Sequence, residues 1–127
     1  MDDSVLDRIA FDSAGLVPVI AQAHGTGEVL MLAWMNRDAV AETLATSRVC
    51  YYSRSRAALW RKGESSGQVQ RLIELRLDCD GDALLAIVDQ TGVACHTGRR
   101  SCFFTALSPD GVKTIAEVLV PPETLYG

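Results

Sequence analysis

The stretch from Leu77 to Cys102 constrains this chain more than any other. It reads Leu77-Asp78-Cys79-Asp80-Gly81-Asp82, then an apolar run, then Cys95-His96-Thr97-Gly98-Arg99-Arg100-Ser101-Cys102. Three of the four cysteines and one of the two histidines lie here, with three closely spaced aspartates. Thiolates suit zinc, and zinc is usually four-coordinate. Fifteen residues separate Cys79 from Cys95, and six separate Cys95 from Cys102, so the Cys-x2-Cys pairs of a closed structural site are absent. Three thiolates leave a fourth position open to water, as catalytic zinc sites do. His96 is better placed beside that position than in it, as acceptor of the water's proton.

The aspartates form a second, harder site. In an extended chain Asp78, Asp80 and Asp82 share one face and Cys79 takes the other. Alternate side chains are about 6–7 Å apart, too far for all three to reach one ion directly. Gly81 permits the bend that draws them together. Carboxylates with waters suit magnesium. The plainer alternatives are buried thiols acting as small hydrophobes and an ordinary acidic turn at a strand end. An EF-hand loop is not expected, because nothing helical precedes the run and the bidentate Glu is missing.

At 127 residues, 48% of them apolar, the chain predicts a single domain, 1–127, with a real core. A net charge of −4 disfavours a general nucleic-acid surface. No apolar run reaches the roughly 18 residues that span a bilayer. The acidic start, Met1-Asp2-Asp3-Ser4, does not read as a signal peptide. A cytoplasmic protein with reduced cysteines is the expectation, with no membrane or nucleic-acid partner.

Residues 1–16 read as an N-terminal extension with a short helix, capped by Ser4 and striped by Val5, Leu6 and Ile9. A hairpin follows: Val17 to Ala23, a turn at His24-Gly25-Thr26-Gly27, and Val29 to Trp34. Pro18 belongs at a strand start or edge, and His24 reads as a solvated turn residue. Asn36 caps a helix running to Thr46, whose apolar face is Ala39, Val40, Thr43 and Leu44. Val49-Cys50-Tyr51-Tyr52 is strand-like, with Cys50 in the core.

The segment from Ser53 to Gly67 reads as a loop. It carries Arg54, Arg56, Arg61 and Lys62, four serines and two glycines, a donor-rich set suited to phosphate oxygens. It is not a Walker A sequence, and a solvated, salt-bridged loop is the alternative. Gln68 to Leu77 alternates imperfectly, with Val69, Ile73, Leu75 and Leu77 on one face and Gln70, Glu74 and Arg76 on the other. Ala83 to Val88 predicts a strand covered on both faces. Phe103, Phe104 and Ala106 read as a strand, and Ser108-Pro109-Asp110-Gly111 as a turn. Val112 to Val120 is a short element ended by Pro121-Pro122. Several strands and one main helix predict an α+β fold with a mostly antiparallel sheet.

Taken in order, these pieces resemble the phosphoribosyl-AMP cyclohydrolases of histidine biosynthesis. The matching residues are Leu30-Met31-Leu32-Ala33-Trp34-Met35-Asn36, Ser53-Arg54-Ser55-Arg56, Leu59 to Gly67, Asp78 to Asp82, Cys95-His96-Thr97-Gly98 and Ser101-Cys102-Phe103. They span about 17–104, the expected catalytic core. The resemblance implies zinc, one per chain, held by Cys79, Cys95 and Cys102, and magnesium held by Asp78, Asp80 and Asp82. It implies an obligate, intertwined homodimer with zinc ligands from both chains and a strongly bent sheet. Some relatives carry a fused pyrophosphatase domain, for which this chain ends too soon.

The reaction implied is hydrolysis of the N1–C6 bond in the adenine ring of 1-(5-phosphoribosyl)-AMP, giving the formimino-carboxamide ribotide. His96 serves as base, and Arg54, Arg56, Arg61, Lys62, Glu64 and Ser66 are substrate-binding candidates. Many members carry His where this chain has Gln68, and an amide cannot titrate. A zinc deaminase would show His-x-Glu and Pro-Cys-x-x-Cys, and neither occurs. A zinc-stabilised binding module is the non-enzymatic alternative.

Overall fold

Alternation of Val17, Val19, Ala21 and Ala23 with less buried neighbours makes one side of the first strand a wall of the core. In the computed structural model, which describes residues 3–125, all four are buried. Among the described residues the elements run α1 (Asp3–Leu6), β1 (Val17–Ala23), β2 (Val29–Met35), α2 (Arg37–Thr46), β3 (Cys50–Ser53), β4 (Ala58–Arg61), β5 (Gln70–Leu77), β6 (Leu84–Gln90), β7 (Thr105–Ser108), β8 (Gly111–Thr114) and α3 (Pro122–Leu125). Met1 and Asp2, half of the acidic start read in the sequence, lie outside the described residues. No described helix is long and apolar enough to cross a membrane.

The architecture is α+β. The main sheet has the order β2-β1-β6-β5, with β3-β4 and β7-β8 as separate hairpins. All pairings are antiparallel except β1 with β6. Register aligns the core face: Ala21 stands beside Met31 and Ala86, and Ala86 beside Leu75. Pro18 is tolerated in an inner strand because pairing with β6 begins only at Val19, leaving Pro18 opposite Trp34 of β2 alone. On the outer face Ile20 stands between Leu32 and Leu85, and Ile20 and Leu32 are 37% and 47% exposed.

α2 closes the other side of the core. Asn36 Oδ1 accepts from the Ala39 N–H at 2.8 Å, and Ser47, at φ 60, ends the helix by donating its N–H to the Thr43 carbonyl. Ala39, Val40 and Thr43 are buried. The Thr43 hydroxyl donates to the Cys50 carbonyl and accepts from the Cys50 N–H, joining α2 to β3. Replacing Asn36 by alanine should cost about 1 kcal/mol, read as a lower urea midpoint. An unchanged midpoint would mean the cap contributes nothing.

Several expectations need correction. Ser4 lies within α1 rather than before it, and Val5 is exposed while Leu6 is buried. Leu59 to Arg61 belongs to β4, paired with β3, not to a loop. β5 carries a bulge: Leu72 faces Val88 and Glu74 faces Ile87, leaving Ile73 as the extra residue. One inserted residue reverses the parity, so Gln70 and Leu72 point to the core with Leu75, and Ile73 is exposed. Phe103 and Phe104 precede β7 rather than forming it, and Pro122 opens α3 instead of ending an element.

Candidate metal centre and nucleotide pocket

Asp78 to Ala83 form the turn between β5 and β6. The three carboxylates converge because the chain folds back on itself at Gly81, φ 76, not through strand parity. The Asp78 carboxylate accepts the N–H groups of Asp82 at 2.9 Å and Ala83 at 3.2 Å. The Gly81 carbonyl accepts from Ala10 N–H at 2.7 Å, which ties the N-terminal extension to this turn. One oxygen from each of Asp78, Asp80 and Asp82 lies within 4.8 Å of the others, and all three residues are exposed. Magnesium–oxygen bonds of about 2.0–2.1 Å need ligand oxygens at separations of this kind, so the donor set fits a hard cation.

Desolvation raises the Asp78 carboxyl, but the N–H groups of the turn outweigh it and hold it below its usual range. Asp82 is pushed up, first by the hydrogen bond it shares with Asp78, then by that carboxylate's charge, with Asp80 adding to it. A carboxylate raised by its neighbours as Asp82 is would be relieved by a cation.

The second half of the stretch is a tight loop. Ala94 and Cys95 N–H groups donate to the carbonyls of Arg100 and Arg99, and Gly98 N–H donates to Cys95. Cys102 N–H donates to Leu30 of β2 at 2.7 Å, and Ser101 Oγ to Val29 at 2.7 Å. Arg100 pairs with Glu28 at 2.8 Å, and Arg99 lies over the Phe104 ring at 4.0 Å. The loop is thereby fixed to the edge strand and to the C-terminal segment.

Cys95 is buried and Cys102 keeps an exposed face. The two sulfurs interact: partial burial pushes the Cys102 thiol up, and the neighbouring Cys95 sulfur adds to the shift. Thr97 Oγ1 donates to Cys95 Sγ at 3.1 Å. His96 is exposed beside them. Two adjacent thiols fit two corners of a zinc tetrahedron. Cys79 is exposed on the aspartate turn and, within one chain, does not join Cys95 and Cys102 as a ligand group among the described residues. Cys50 stands apart, its thiol raised to about 11 by burial and by Glu42.

The basic segment divides. Arg54 lies over the Trp34 ring at 4.6 Å. With Arg56, Tyr52, Trp60 and two serines it lines a cavity of about 780 Å³. Arg56 and Trp60 are shared with an adjoining cavity of about 300 Å³, lined also by Lys62, Glu64 and Ser66. Arg61 is turned away, held to both oxygens of Glu42 on α2 at 2.8 and 2.7 Å. Lys62 is buried, and its Nζ donates to the Ala94 carbonyl at 2.6 Å. Burial lowers its affinity for the proton, and the Cys102 and Cys95 sulfurs oppose that.

Sequence reasoning missed a buried amide relay behind the loop. Tyr51 OH donates to Gln70 Oε1 at 2.6 Å, and Gln70 Nε2 donates to Gln90 Oε1 at 2.8 Å. Gln90 Nε2 continues to the Thr91 carbonyl at 2.8 Å. Gln68, whose part the sequence left open, accepts from Val93 N–H through Oε1 at 2.9 Å. It braces the entry to the cysteine loop. Two glutamines opposite each other in paired strands, as Gln70 and Gln90 are, were the available signal.

The family model for phosphoribosyl-AMP cyclohydrolase matches residues 31–104. A phosphoribosyl-AMP cyclohydrolase of Granulibacter bethesdensis is 71% identical over 124 residues, 97% of each chain. Proteins of the same name from Alkalilimnicola ehrlichii and Paramagnetospirillum magneticum are 68% and 64% identical. Those matches cover 97% of this chain and 87% and 93% of the relatives.

Proposed function

The chain belongs to the phosphoribosyl-AMP cyclohydrolase family, a family of hydrolases, and on that premise we propose that it opens the adenine ring of 1-(5-phosphoribosyl)-AMP in histidine biosynthesis, in the cytoplasm. The bond broken is N1–C6. The observation that carries this reading is the pairing of Cys95 with Cys102 beside His96, in a loop anchored to β2 and adjoining the Lys62 side chain. Zinc held by Cys79, Cys95 and Cys102, one per chain, supplies Lewis-acid activation of water when bound. Cys79 is the ligand given by a second copy of the chain in a homodimer. Its separation from the other two within one chain supports that, as does the exposed apolar pair Ile20 and Leu32.

The residues then have distinct tasks. His96 accepts the proton of the attacking water. Oxygen adds to C6, the N1–C6 bond breaks toward N1, and N1 takes up a proton. The exocyclic nitrogen stays and becomes the carboxamide. Asp78, Asp80 and Asp82 would hold magnesium, whose charge would serve to orient the substrate or screen its phosphates. Arg54 and Arg56 are the open cations for those phosphates, with the Ser66 hydroxyl and Glu64 on the adjoining cavity. Arg61 already serves Glu42.

His96→Asn should retain zinc and slow turnover by about 10²–10⁴-fold, the usual span for a general base. A rate close to wild type would give His96 another role. The test of the whole reading is the product. Ring-opened carboxamide without ammonia is expected from phosphoribosyl-AMP. Ammonia release would point to a deaminase, and zinc binding without turnover to a binding module.

A further inference from the structure

Lys62 sits where a lysine is rarely found. It is 5% exposed, and among the described residues no carboxylate pairs with it. An ammonium taken out of water without a counter-charge is costly, and a buried lysine is normally paired. Its direct partner is a neutral carbonyl, that of Ala94, the residue before Cys95. The Trp60 ring, 5.3 Å away, offers a face but no full charge. Because Ala94 immediately precedes Cys95, this bond sets the ammonium at the base of the cysteine loop. Backbone geometry holds it there: Lys62 N–H donates to Val49, and the following Gly63 packs against the backbone of Gln68 and Val69.

We propose that Lys62 is a positioning residue of the zinc site, its ammonium balancing the charge of the thiolates while it fastens the Cys95 loop through Ala94. This rests on the zinc reading above. Three thiolates around a divalent ion leave one net negative charge. A buried cation beside two of them cancels it. Lys62 borders the small cavity that Arg56 shares, but its Nζ is engaged by the Ala94 carbonyl rather than left open to a phosphate.

The test compares Lys62→Gln with Lys62→Met in the purified dimer. Zinc affinity is measured by competition with a chromophoric chelator, and circular dichroism confirms folding. Glutamine keeps a donor for the Ala94 carbonyl but no charge; methionine keeps neither. Both variants should bind zinc about ten- to a hundredfold more weakly, the range for groups that support metal ligands. Wild-type affinity in Lys62→Gln would overturn the proposal, because a hydrogen bond alone would then suffice. Should the methionine variant fail to fold, the glutamine variant decides alone. Should that fail too, Lys62→Arg, which keeps the charge, must hold zinc within about tenfold of wild type, and a larger loss overturns the proposal. Absence of zinc binding by the wild type would be a different failure, sinking the metal reading itself and this proposal with it.

Discussion

Cys95→Ala should emerge from metal-defined buffer with most of its zinc gone and turnover of phosphoribosyl-AMP reduced on the order of 10³-fold or more. Cys95 is the buried one of the adjacent pair, and both Thr97 Oγ1 and the Cys102 thiol address its sulfur. Removing it would leave the proposed zinc site with two thiolates instead of three, and coordination is what makes water nucleophilic near neutral pH. The fold should survive, since the loop is held by backbone contacts to Arg99, Arg100 and Leu30 that do not involve the sulfur. The checks are zinc content, circular dichroism and rate on one preparation. Wild-type-like activity would contradict the ligand assignment.

Gly63→Ala should be the most destabilising glycine substitution in the basic segment. Gly63 has φ 83, and a Cβ there would lie 2.5 Å from Val69 N, 2.6 Å from the Gln68 carbonyl carbon and 2.7 Å from Val69 Cα. All three are backbone atoms at the entry to β5, so no flexible side chain can swing aside. Left-handed strain of about 1–2 kcal/mol and overpacking of about 1–3 kcal/mol act together. That is a large share of the roughly 5–15 kcal/mol that holds a domain folded. Gly67→Ala is the control: φ is 79, but nothing lies within 4 Å, so only the conformational strain remains. Urea midpoints measure both. Equal losses in the two variants would show that the close contacts carry no weight.

Much of the fold could be read from local signals. The bounds of β1, the Asn36 cap, the burial of Cys50 and the turn at 108–111 each follow from a few adjacent residues. What escaped depended on distant partners. The bulge at Ile73 reverses the facing of Gln70, and alternation cannot reveal one extra residue in a strand. Gln70 falls on the polar face in the sequence, yet it is buried and donates to Gln90 twenty positions away. Lys62 reads as one cation in a basic run, while β4 turns it inward, toward Ala94.

The site was legible in parts. Three aspartates separated by single residues do converge, through a turn at the glycine the sequence singled out. Cys95 and Cys102 meet across six residues. Cys79 is exposed and stands outside that pair within one chain, a separation that spacing in the sequence does not reveal.

The central claim is met most directly by adding zinc stepwise to metal-free protein while product formation from phosphoribosyl-AMP is followed. Activity should rise from near zero and level off at about one zinc per chain. Full ring-opening activity before any zinc is added would contradict it.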